Sequence, residues 1–277
     1  MIVPEAERRV FYGSNYTSAF PFEDFDSYES KPREHQGALY VDTAYGFVCL
    51  AVACMDLGRP IEEARGWLGA PLVAHYEGIR RTPTKAREDD PMFASFIAGV
   101  HRDEAAFARH AEAWEATPLG TQGEDYTDCT NPHFLRLSRV LVARTRGAPA
   151  LEQAMESVRT APPWKGSKKG LPFYEGCRDM LIDAVAAPAP DPLPFLKRLA
   201  PRNGKSWWDF YQETFLAQRP VGLAVVARDR GWIPPDKDPH PSMPMALLRL
   251  PPRPIVFGPL PRPSAELREQ ILARYNG

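Results

Sequence analysis

Apolar residues recur along this chain at helical spacing, and alternating, strand-like patterns are confined to short runs. From Gly37 onward, Tyr40, Thr43, Ala44, Phe47, Val48, Leu50, Ala51, Cys54 and Met55 leave almost no polar face. The spacing predicts a helix buried on most sides. Leu57-Gly58 should stop it, because glycine takes the left-handed cap without strain, and Pro60 opens the next helix where no N–H is needed. Ile61, Ala64, Trp67, Leu68, Leu72 and Tyr76 form the inward stripe of that second helix, which Pro71 is expected to kink or split. A second hairpin starts with a helix over 92–100 and turns at Val100-His101-Arg102-Asp103. It returns with Asp103 as cap and with Phe107, Ala111 and Trp114 facing inward.

Turns near residues 58, 100, 147 and 189 and a glycine stop at 231 lie 42, 47, 42 and 42 residues apart, the length of a two-helix unit. The side chains do not repeat with that rhythm, so a solenoid with a consensus motif is not supported. The expected fold is all-α, an irregular bundle of stacked helical hairpins with about ten helices. Later helices are expected over 174–186, 207–217 and 221–230. Between 233 and 263, eleven of 31 residues are proline, which rules out a long helix and predicts an extended arm. Leu247, Leu248, Ile255, Val256 and Phe257 are the residues that arm could bury. A terminal helix over 264–275 has Ser264 as its cap and Leu267, Ile271 and Leu272 as its apolar stripe. The organisation read from this pattern is an acidic-aromatic segment, 1–36, packed on a helical-hairpin body, 37–232, with 233–277 as arm and terminal helix of the same domain.

Composition adds limits. With 277 residues and 44% apolar content the chain can build a sizeable core. Its 34 basic and 35 acidic side chains are scattered, so no broad basic field exists to hold nucleic acid. Met1 to Val10 has no apolar run long enough for a signal peptide, and no later run approaches roughly 18 apolar residues. A cytoplasmic protein without a membrane segment is expected. Cys49, Cys54 and Cys177 fall within apolar helical patterns and are expected to be buried thiols. Together with Cys129, they lack metal-site spacing.

Candidate chemistry is sparse. Gly204-Lys205-Ser206 lacks the glycine five residues earlier that a phosphate loop needs, since Leu199 stands there. Lys165, Lys168 and Lys169 read as a solvated loop. Among His35, His75, His101, His110, His133 and His240 no two have the i,i+4 spacing of paired metal ligands. Cys129 and His133 are four apart but flank Pro132 and lack any oxyanion-hole signature. Glu62, Glu63, Asp89 and Asp90 sit where acids favour a helix N-terminus. Pro251-Pro252-Arg253-Pro254 and the prolines around Arg262 read as an arm folded back on the bundle. Neither a metal nor a cofactor is expected, and the chain is not expected to be an enzyme. The segment Phe20 to Tyr28 stands out because Glu23, Asp24 and Asp26 alternate with Phe25 and Tyr28 and no base intervenes. Aromatics of this kind can anchor a partner while the acids steer a basic one, so these five residues are the candidate partner-binding site.

The stretch from Gly222 to Ile233, GLAVVARDRGWI, followed by Met243-Pro244-Met245-Ala246-Leu247-Leu248, resembles the C-terminal end of one group of all-helical immunity proteins from bacterial polymorphic-toxin systems. In that group a small-residue helix ends in glycine and leads to a proline-leucine docking segment. The resemblance implies a protein that binds a cognate toxin and neutralises it. Two other classes stay open on the residues alone: a helical-repeat scaffold that binds peptides, and a helical enzyme whose active site is assembled from distant residues.

Overall fold

The computed structural model describes residues 30–165, 171–186 and 246–275. Among the described residues the chain is 75% helical and has no strand, so the fold is all-α. The described residues form ten α-helices: α1 Arg33–Asp56, α2 Ile61–Arg81, α3 Asp90–His101, α4 Glu104–Glu115, α5 Pro118–Gln122, α6 Pro132–Ala143, α7 Ala148–Arg159, α8 Leu171–Ala186, α9 Ala246–Arg249 and α10 Ala265–Tyr275.

α1 and α2 form the predicted hairpin and share the most extensive packing in the molecule. Gly58 has φ +69°, and the turn closes with Gly58 N–H donating to Met55 O (3.1 Å) and Arg59 N–H to Cys54 O (3.0 Å). These are the two bonds of a glycine-terminated helix that satisfy the last carbonyls. Phe47, Leu50, Leu68 and Leu72 of the pair are 2% exposed or less. Burial of such a side chain contributes about 1.5–3 kcal/mol. Of the two outcomes expected at Pro71, a kink or a split, the split does not occur: the proline is buried within one continuous 21-residue helix. Packing along α1 holds the turns on either side, so one missing N–H does not divide it.

α1 also corrects the expectation that no segment matches a membrane span. His35–Asp56 is long and apolar enough to cross a membrane, although 67% of its most apolar stretch is buried inside the protein. Polar Thr43 and Tyr45 break its apolar run without lowering its average by much. A helix enclosed by its neighbours passes the same test as a spanning one.

α3 and α4 make the second hairpin. Asp103 caps α4 as expected, accepting from Ala106 N–H (3.0 Å), and Phe107, Ala111 and Trp114 are 1% exposed or less. α3 packs on α2, α4 and α6, and α6 packs on α7 and α8. One large core runs through these helices and takes in Leu247, Leu248, Ile255, Leu267 and Ile271 of the C-terminal region. A second cluster of Ile79, Ala111, Trp114, Leu119, Leu135 and Val142 fills the space among α2, α4, α5 and α6. Gly147, at φ +97°, opens α7 at the expected turn, and Ser264 Oγ accepts from Leu267 N–H (3.2 Å) as the cap of α10.

Candidate functional site

The expected partner-binding residues Glu23, Asp24, Phe25, Asp26 and Tyr28 lie outside the described residues. So do Gly204-Lys205-Ser206, Lys168, Lys169, His240 and the stretch 222–233. Three other arrangements concentrate polar chemistry.

The first is a buried chain of hydrogen bonds contributed by α2, α3 and α4. His110 Nε2 lies 3.0 Å from His75 Nδ1, and His75 Nε2 lies 3.2 Å from Asp90 Oδ1. The other Asp90 oxygen accepts from the Arg87 N–H at 2.7 Å. His75, Asp90 and His110 are 5%, 4% and 0% exposed. Donor logic assigns the tautomers: His110 donates from Nε2, and His75 accepts at Nδ1 while donating from Nε2 to the carboxylate. Every N–H in that arrangement has an acceptor. Only the lone pair of His110 Nδ1 lacks a partner. Burial, and secondarily His75, push His110 well below the usual histidine range. Asp90, expected as a helix-dipole acid, does open α3, but its carboxylate is the terminus of this chain. The indole of Trp114 donates to Arg87 O (3.0 Å), so the loop before α3 is held from both sides.

The second is the seat of the C-terminal arm. Residues 250–264 follow α9 without helix or strand. Arg253 N–H donates to His101 O (2.9 Å), Ile255 N–H to Asp103 Oδ2 (2.7 Å), and Arg102 to Leu248 O (3.3 Å). Arg65 donates to Pro251 O. The His101 ring sits between two carbonyls, with Nδ1 3.1 Å from Arg253 O and Nε2 3.0 Å from Arg65 O. Phe257 meets Tyr76 edge-on at 5.1 Å beneath the Arg109 guanidinium. Val256, expected to be buried with its neighbours, is 83% exposed. Extended backbone sends successive side chains to opposite sides, so Ile255 and Phe257 turn inward and Val256 outward.

The third is an open cleft of 310 Å³ between α4–α5 and α6–α7. Its walls include Trp114, Glu115, Arg139, Arg146, Gln153 and Ala154. Arg146 pairs with Glu115 across it.

The suspected Cys129–His133 pair is not assembled. No hydrogen bond joins the two among the described residues. Burial raises the Cys129 thiol above its usual value, and the His133 ring packs against Trp164 (5.2 Å) and Tyr174 (5.0 Å). Cys49, Cys54 and Cys177 are buried and form no disulfide among the described residues, and burial pushes Cys49 up to about 12 and Cys54 to about 11. Among the described residues no three His, Cys, Asp or Glu side chains gather as metal ligands.

Sequence inspection missed the His75–His110–Asp90 chain and Arg139. The two histidines are 35 positions apart, and helix packing alone brings them together. No family model matches the chain, and no curated protein or solved structure matches it either.

Proposed function

We propose that the protein is a binding protein that neutralises a cognate toxin, an immunity function in bacterial competition. The observation that carries this reading is the seat of α9. The proline-leucine segment on which the resemblance rests places Leu247 and Leu248, 0% and 2% exposed, in the core against α2 and α3. An all-helical body closed by such a segment is the architecture the resemblance implies. In this reading the protein acts in the cytoplasm without a cofactor, and Glu23, Asp24 and Asp26 steer a basic partner while Phe25 and Tyr28 anchor it.

Co-expression with a toxin gene found beside its own tests the reading by growth rescue. Rescue, and recovery of a stoichiometric complex, is the expected result. Replacing Glu23, Asp24 and Asp26 by Gln or Asn should slow association about tenfold at low salt and flatten its salt dependence, because exposed charges act through a screened field. Turnover of a substrate by the purified protein alone would overturn the reading.

A further inference from the structure

We propose that the cleft between α4–α5 and α6–α7 is a binding site for a small organic carboxylate with an apolar body. This inference is independent of the toxin-binding reading and uses only residues of the described fold.

Charge is the first argument. Three charged side chains line the cleft: Glu115, Arg139 and Arg146. Glu115 and Arg146 neutralise each other in an ion pair. Arg139 has neither an ion pair nor a hydrogen bond within the described fold, so the cleft carries one uncompensated positive charge. A monoanion complements it.

Preorganisation is the second. The Arg139 guanidinium lies against Gly123, in the space where any other residue would place its Cβ. Gly123 has φ +67°, a conformation in which glycine alone is unstrained. That glycine clears room for the guanidinium of an arginine that also lines the cleft. An arginine partly held in place loses less side-chain entropy when it forms a two-pronged carboxylate contact.

Shape and lining are the third. The lining also includes the apolar side chains of Trp114, Val142, Ala150 and Ala154. Gln153, also on the wall, contributes an exposed amide with no partner in the fold, able to donate to a second carboxylate oxygen. A volume of 310 Å³ is at the small end of ligand pockets and accommodates about ten water-sized groups. A bare inorganic anion would leave the apolar half unfilled, whereas a monocarboxylate of about ten non-hydrogen atoms uses both halves.

Phenylacetate is a probe of that size. Titration into the full chain, followed by the NMR methyl signals of Val142, Ala150 and Ala154, should give saturable shifts there and none at the His110 ring. Phenylacetamide, its neutral isostere, should bind about tenfold more weakly, and inorganic phosphate should not saturate the same signals. Arg139→Gln should weaken phenylacetate about tenfold. Ala150→Leu, which fills the apolar half and leaves every charge in place, should abolish binding. Absence of saturable shifts with phenylacetate, equal affinity for the amide, or undiminished binding in both variants would overturn the proposal. Equal affinity for phosphate would also overturn it, because the apolar half would then play no part.

Discussion

Two buried histidine sites lie at opposite ends of α3 and are supplied with different hydrogen-bond partners. In the His75–His110–Asp90 chain ring bonds to ring and ring to carboxylate, and the Nδ1 of His110 is buried without a hydrogen-bond partner. At the arm, His101 is 3% exposed and lies between two carbonyls, of which a neutral ring can donate to only one. Burial nevertheless lowers His101, against the raising pull of the Arg253 and Arg65 carbonyls and with help from the positive charges of those residues. Similar burial therefore gives a ring-to-ring-to-carboxylate chain in the body and a ring held between two backbone carbonyls where the arm attaches. The difference arises from the partners each fold element supplies, carboxylate and ring in one place and two backbone carbonyls in the other.

The largest effect should come from removing the anion that anchors the ring-to-ring-to-carboxylate chain. Asp90→Ala leaves the His75 Nε2–H and the Arg87 N–H buried without an acceptor and is expected to cost about 3–5 kcal/mol. Urea unfolding would measure it. A cost below about 1 kcal/mol would show that the chain of bonds is incidental to stability.

Acid sharpens the comparison next. His110 is depressed in the folded state, so at low pH the unfolded chain takes up a proton that the native ring refuses. Its contribution to stability is intact above about pH 6.5 and lost as pH falls below that value. The urea midpoint should decline between about pH 7 and pH 5, and His110→Phe should flatten the decline while lowering stability at neutral pH. His101 is shifted in the same direction but less far, so His101→Phe should flatten it less. An identical acid profile in the His110 variant would refute the neutral-ring assignment.

A local effect is expected at the arm. His101→Phe removes both ring contacts but leaves the Arg253 N–H to His101 O and Ile255 N–H to Asp103 bonds in place. Amide exchange at 253 and 255 should accelerate several-fold, by about 1 kcal/mol of local stability, while α3 and α4 stay protected. Acceleration throughout the helices would mean the arm is integral to global folding.

The smallest perturbation is chemical. Cys49 and Cys54, buried with thiols pushed up to about 12 and about 11, should resist labelling in the native state, and partly exposed Cys129 should react first. Equal rates for all would mean that the body opens as readily as its surface.

The amino-acid sequence by itself determined what depends on neighbours in the chain. Apolar spacing located α1 to α4, Gly58 and Asp103 marked a stop and a cap, and proline density marked the extended arm. Each is decided by backbone sterics or by a hydrogen bond within a few residues. Tertiary structure decided everything that depends on partners far along the chain. Packing kept α2 whole through Pro71, alternation in the docked arm sent Val256 to solvent, and helix crossing joined His75 to His110 and Asp90. It also set the Arg139 guanidinium of α6 against Gly123. Local propensity carries no record of which distant donor meets which acceptor, and the polar sites of this protein are built from such meetings.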